Sequence, residues 1–241
     1  MFAPVAPCPY ERLLGGSETE DRRGRYERHA KGASRPHLWR RPLYGRTICG
    51  QTTLINRFVI AASTLSNPTS ANHFTVGRLS RHDPIKKHHL DDPALYRRLV
   101  DHGCRVRIMG ASPSLKTELG DLEAVTLLPA YAQEAHLFLQ GLDCFFYRTS
   151  ENFLEPSGRV VTEAMACGLP VVCHNQGGYA ETIDDGRNGF LFDTQQEALE
   201  ILLKLKEDPA LRERVGKAAR RSAEELFSDA VRSQIVEFYL R

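Results

Sequence analysis

The chain is short of the features that mark secreted, membrane-spanning or metal-built proteins. Cysteine is sparse: Cys8, Cys49, Cys104, Cys144, Cys167 and Cys173 form no C-x-x-C pair and no dense framework. Disulfide scaffolds and zinc modules are thereby set aside, and reduced, buried thiols in the cytosol are the expectation. No apolar run approaches the roughly 18 residues of a membrane span. The opening Met-Phe-Ala-Pro-Val-Ala-Pro-Cys has no basic region before an apolar core, so no signal peptide is expected. Repeats and low-complexity tracts are missing too, which removes solenoid and fibrous architectures. Charge of one sign is not in excess: 32 Lys/Arg face 30 Asp/Glu, for a net of +2. That is too small to argue for a nucleic-acid partner, and none is expected.

What is present is the composition of a soluble globular protein, 41% apolar and 26% charged. The 241 residues are enough for one large domain or two small ones. Charge is uneven along them. Residues 1–50 carry ten Lys/Arg against five Asp/Glu, leaving 22 against 25 from residue 51 onward. Residues 1–72 are broken by Arg22-Arg23-Gly24-Arg25, Arg40-Arg41 and scattered Pro and Gly. Only Thr53 to Leu65 has the apolar density of a core element. The segment reads as a basic, solvated extension, with Trp39 among its charges leaving contact with nucleic acid or an anionic membrane surface as the alternative.

From residue 73 the text changes to alternating strand and helix. Strands are expected at 74–77, ending in a turn at Gly77, and at 105–110, 124–128, 143–147, 171–173 and 189–192. Helices are expected at 94–100, near 133–139, from Gly158 onward, and through 195–241. This spacing implies an α/β fold, a Rossmann-like parallel sheet flanked by helices with right-handed crossovers. Ligands of such sheets bind beyond the strand carboxyl ends, where Gly77, Gly110, Thr149–Glu155 and His174–Gly178 fall. A cluster of His82, His88 and His89 with Asp83, Asp91 and Asp92 invites a metal. Its spacing matches no standard site, so no metal is expected.

The organising stretch is 155–192. Glu155 and Glu163 stand eight positions apart, with Ser157-Gly158 between them as a helix start. Gly168 and Pro170 stop that helix, and Val171-Val172-Cys173 follows as a buried strand. A helix N-terminus is a natural anion site. The two carboxylates would repel a phosphate, so they are better read as acceptors for hydroxyls. A ligand with phosphate in the middle and polyol at both ends fits, which is a nucleotide-diphosphate sugar.

Five linked features in one order carry a family resemblance: Glu155 with Glu163; Ala164-Met165-Ala166-Cys167-Gly168-Leu169-Pro170-Val171-Val172; Gly177-Gly178 with Glu181; Gly186; and Asn188-Gly189-Phe190-Leu191-Phe192. The stretch resembles the donor-binding C-terminal domain of retaining GT-B glycosyltransferases of the family 4 type. The resemblance covers residues 73–241, a nucleotide-sugar-binding domain, and leaves 1–72 as a remnant of an acceptor domain or a disordered segment. It implies that Arg78 and Lys86 bind the donor diphosphate, with Lys87 and Arg81 as rivals of Lys86. It implies that Glu155 is catalytic, orienting the transferred sugar, and that Glu163 holds the ribose hydroxyls. The N–H groups of Gly158 and Arg159 would meet the distal phosphate, and Gly177 and Gly178 would let the backbone approach the sugar. His174 is either a pocket residue or a satisfied structural histidine. Pro156-Ser157-Gly158 departs from the small–aromatic–Gly that usually follows the first Glu, and Pro156 has no N–H to donate.

The implied activity is sugar transfer with retention from a nucleotide-diphosphate sugar to an acceptor hydroxyl. That acceptor is a glycan, a lipid-linked sugar or a small molecule. The donor is a substrate and no cofactor is expected. A cytoplasmic place follows, with the inner membrane surface as a variant of it. Because no recognisable acceptor domain precedes residue 73, the rival is a non-catalytic binding module, or a truncated product needing a partner chain. A nucleotide-sugar epimerase or phosphorylase of the same fold is a third reading, against which the Ala164–Val172 text speaks.

Overall fold

The computed structural model describes residues 73–80, 88–231 and 233. The N-terminal segment 1–72 lies outside these, as does Lys86 with its rivals Lys87 and Arg81.

Six strands form one sheet: β1 (Thr75–Leu79), β2 (Arg105–Met109), β3 (Val125–Leu128), β4 (Cys144–Tyr147), β5 (Val171–His174) and β6 (Phe190–Phe192). Their order is β3-β2-β1-β4-β5-β6. Every neighbouring pair is parallel. The connections are α1 (Asp92–Asp101), α2 (Pro113–Leu119), α3 (Ala135–Gln140), α4 (Arg159–Ala166) and a 3-10 turn at Gly178–Thr182, while α5 (Gln195–Glu207) and α6 (Pro209–Leu226) follow the last strand. The order reverses between β1 and β4. In a doubly wound sheet that switch point opens a crevice at the strand carboxyl ends.

The central strands β1, β4 and β5 are largely buried because both faces of the sheet are covered there. In β4, Cys144 and Phe146 point to one core with Val76, Val106, Ile108, Val172, Leu95, Leu99, Leu199 and Leu202. Phe145 and Tyr147 point to the other, with Leu79, Met109, Val171, Val161, Met165, Ala219 and Ala223. Period two along a strand makes this division automatic. Aromatic rings knit each side: Phe146 stacks on Phe192 and meets Tyr96 edge-on, while Tyr147 stacks on Phe145 and meets Tyr179 edge-on.

The helices begin where their sequences say they should. Ser112 caps α2 ahead of Pro113, Thr194 and Glu197 form a capping box on α5, and Asp208 caps α6 at Leu211. Two expectations need correction. Gly77 does not end its strand: β1 runs on to Leu79, and a side chain at 77 would overlap Leu142. Glycine is therefore present for close packing rather than for a turn, and Arg78 belongs to the strand and not to the loop beyond it. The run 110–124, left without a helix, contains α2.

Candidate donor-binding site

Glu155 sits in the loop between β4 and α4, and it is buried. Its Oε2 accepts from the Tyr147 hydroxyl at 3.3 Å, and its Oε1 from the Gly158 N–H at 3.3 Å. Burial pushes the Tyr147 pKa up; Arg78 opposes this and Glu155 adds to it. The phenol therefore stays protonated and remains a donor to the carboxylate. Gly158, whose N–H is expected to meet the distal phosphate, is thus also a partner of Glu155. The reason is local: Gly158 takes a left-handed conformation (φ 56°) at the start of α4, which turns its N–H back toward the loop. A Cβ there would stand 2.7 Å from the Tyr179 ring.

The glycine pair builds the same loop. Gly178 donates its N–H to the Glu155 carbonyl at 2.9 Å. A Cβ on Gly178 would overlap the Pro156 carbonyl oxygen, and one on Gly177 (φ 90°) would stand 2.6 Å from the Glu155 carbonyl oxygen. The close approach that these residues permit in this structure is thus to the Glu155–Pro156 backbone. They hold the loop that holds the carboxylate.

Arg159 and Glu163 lie one turn apart on α4 and pair with each other, Nε to Oε1 at 3.2 Å. Glu163 is mostly covered and Arg159 is half exposed. Arg159 N–H is one of the opening donors of α4, which a helix cannot satisfy internally. His174, the last residue of β5, stacks on Phe192, and burial followed by Arg148 lowers its pKa. It is a neutral ring packed on the core.

Arg78 is only 1% exposed and donates from Nη1 to Asp92 Oδ2 at 2.9 Å. Its guanidinium lies 5.3 Å from the centre of the Tyr147 ring, so it neighbours the residue that holds Glu155. Burial would lower its pKa, but Asp92, Tyr96 and Tyr147 outweigh that and raise it. Arg148, immediately after β4, grips the other oxygen of Asp92 with Nε at 3.0 Å and Nη2 at 2.7 Å. Neither Asp92 nor Arg148 was recognised from sequence as part of the site. The carboxylate stood among residues weighed as metal ligands, and Arg148 follows an apolar strand with no motif around it. His89 is buried and pairs with Asp91 and Glu151. Among the described residues, no group of three His, Cys, Asp or Glu is placed to hold a metal ion.

The described helices include none long and apolar enough to cross a membrane. With this geometry in place, the likeness to known proteins is specific. The family model "Glycosyl transferases group 1" matches residues 60–222. A D-inositol 3-phosphate glycosyltransferase of Thermomonospora curvata is 33% identical over 162 residues, covering 61% of this chain and 36% of that protein. The crystal structure of Anabaena Alr3699/HepE in complex with UDP and glucose superposes with a TM-score of 0.58 at 26% identity, over 70% of this chain and 48% of that one. The C-terminal domain of the group 1 protein LpcC from Francisella tularensis matches at a TM-score of 0.53 and 18% identity, over 65% of this chain and 87% of that domain. The last likeness shows the fold alone. The chain spans about a third of that curated relative and about half of the HepE chain, and covers most of an isolated C-terminal domain.

Proposed function

The chain belongs to the glycosyl transferases group 1 family, and on that premise we propose that it transfers a sugar, with retention, from a nucleotide-diphosphate sugar to an acceptor hydroxyl, in the manner of family 4 enzymes. The observation that carries this is the buried Glu155, held between the Tyr147 hydroxyl and the Gly158 N–H beside the β1/β4 switch point. A carboxylate held at a fixed place in that loop is a suitable acceptor for sugar hydroxyls. Arg78, with Lys86 from the following loop, would face the diphosphate and stabilise the charge that accumulates on it as it leaves. The Arg159 N–H at the start of α4 would add to that. Glu163 would take the ribose hydroxyls, exchanging its partner Arg159 for the ligand. The HepE structure, whose described complex contains UDP and glucose, supports this choice of ligand class.

In this reading arginine, lysine and the helix start provide the cationic surroundings, with no metal or cofactor, and the acceptor hydroxyl attacks from the face that the phosphate leaves. A cytoplasmic location, with contact at the inner membrane surface for a lipid-linked acceptor, completes the proposal. A second reading has its own observation. The chain covers 36% of one curated relative and 48% of a crystallised one. A nucleotide-sugar-binding module that needs a partner chain for the acceptor side therefore stands beside the complete enzyme.

Calorimetry of the purified chain against UDP, GDP and ADP tests the site. Micromolar binding of one nucleotide, lost in Glu163→Ala, is expected. No binding to any of them by folded protein would overturn the donor-site assignment.

A further inference from the structure

Asp92 accepts four hydrogen bonds. It is 0% exposed, in the first turn of α1. Its Oδ1 receives two N–H groups of Arg148, and its Oδ2 receives Arg78 Nη1 and the His89 backbone N–H at 3.1 Å. Two guanidinium groups therefore share one buried carboxylate. Both are nearly sealed from water, Arg78 at 1% and Arg148 at 4% exposure. A one-to-one pair would cancel its own charge. This trio keeps a formal +1 in a place where an uncompensated charge is costly.

The position of that charge is also informative. Arg78 comes from β1 and Arg148 from the end of β4, the two strands that flank the switch point. Arg78 Nε and Nη2 are buried with no hydrogen-bond partner among the described residues. Buried donors of a charged group rarely stay unpaired, and such a group marks a site for an incoming acceptor. The Tyr96 hydroxyl, beside Arg78, and both His88 ring nitrogens are also buried with no hydrogen bond of good geometry. His88 Nδ1 lies 3.8 Å from Asp92 Oδ2, so the unsatisfied groups gather around the same carboxylate.

We propose that Arg148 and Asp92 are positioning residues for the donor diphosphate: Asp92 fixes one edge of Arg78, and Arg148 neutralises Asp92 so that the free Arg78 edge meets the phosphate with its full charge. The inference rests on the donor-site reading. Asp92 on its own would orient Arg78 but cancel it. Arg148 on its own would supply charge with no aim. The bidentate grip on Oδ1 leaves Oδ2 for Arg78, so one carboxylate can serve both arginines without competition. Arg148 does not itself need to touch the ligand.

The test compares the affinity of a nucleoside diphosphate with that of its monophosphate, using the base that the unmodified chain prefers among UDP, GDP and ADP. Arg148→Gln is expected to lower the diphosphate-to-monophosphate affinity ratio about tenfold, with Arg148→Lys restoring only part of it, because the charge returns but the bidentate grip on Oδ1 does not. A purely structural Arg148 would weaken both nucleotides together and leave the ratio unmoved. An unchanged ratio in folded Arg148→Gln overturns the proposal while leaving the donor site standing. Should Arg148→Gln not fold, Arg148→Lys decides: a lowered ratio with monophosphate affinity held supports the proposal, and an equal weakening of both nucleotides overturns it. If the parent binds none of the three diphosphates, the donor reading itself falls and takes this inference with it.

Discussion

Glu155 and Asp92 are both buried carboxylates close to the carboxyl end of β4, yet they are held by different means. Glu155 accepts from a phenol and a backbone N–H within a loop shaped by backbone-to-backbone contact with Gly177 and Gly178. Asp92 rests on two guanidinium groups and a backbone N–H. The first arrangement fixes a position through the shape of its loop. The second concentrates charge, and orientation follows from the hydrogen bonds. Under the proposed function, the first arrangement suits a carboxylate that accepts sugar hydroxyls, and the second suits a cation that receives a diphosphate.

The sharpest way to break this comparison is to remove the charge at the centre of the second cluster. Asp92→Ala leaves Arg78 and Arg148 buried together with no counter-charge. Breaking a buried pair from one side typically costs about 3–5 kcal/mol, and here two cations lose their partner at once. The expected result in urea denaturation is a loss in that range, enough to unfold a marginal domain. A loss below about 1 kcal/mol would mean that water reaches the cluster and that its charge is solvated.

The corresponding break in the Glu155 loop is steric. Gly178→Ala forces a methyl against the Pro156 carbonyl oxygen, at a place where the backbone is already tied by Gly178 N–H to the Glu155 carbonyl. The clash falls on backbone, so no side-chain rotation relieves it. A cost of about 1–3 kcal/mol is expected, smaller than for Asp92→Ala because the loop can shift as a unit. Donor affinity should fall with it, since the shift moves Glu155. Unchanged stability together with unchanged nucleotide-sugar binding would show that the glycine pair does not determine where the carboxylate stands.

The two clusters also differ in how far the sequence disclosed them. The Glu155 loop was legible because its parts lie close together: Glu155, Gly158, Gly177 and Gly178 fall within 24 consecutive positions, framed by strands whose apolar runs stand out. The contact of these glycines with the Glu155–Pro156 backbone is a detail that only the folded loop shows. The Arg78–Asp92–Arg148 trio was not legible. Its ionic contact joins residues 56 positions apart, Asp92 and Arg148, and only the sheet order brings β1 beside β4. The strands were readable from buried apolar runs and their spacing, and the Rossmann-like fold with them. Helix α2 was not found, since seven residues carry too little periodicity, although Ser112-Pro113 is a good helix start. The expected strand end at Gly77 failed for a related reason: a glycine in a strand signals either a turn or a close contact, and only Leu142 tells which.

The smallest expected effect probes how dry the charged cluster is, through His88. Its side chain is almost fully covered. Burial, and then the Arg78 guanidinium, push its pKa down to about 2 from an ordinary 6.5. A neutral ring at 3.8 Å from Asp92 is not an ion pair, so the contact adds no counter-charge to the trio. The sign of the pH dependence follows. Between about 2 and 6.5 the unfolded chain binds a proton at this residue and the folded chain does not. The contribution is intact above the unfolded pKa and is lost as pH falls below it, by up to about 1.4 kcal/mol per pH unit. His174, lowered in the same direction by burial and Arg148, adds to the same limb. Denaturation of the unmodified chain and of His88→Gln from pH 7 to pH 5 should therefore diverge, the parent losing about 1–2 kcal/mol more across the interval. Parallel curves would mean that His88 takes up its proton in the folded state. The cluster beside it would then be open to water, and the contrast with the Glu155 loop would rest on geometry and not on dielectric.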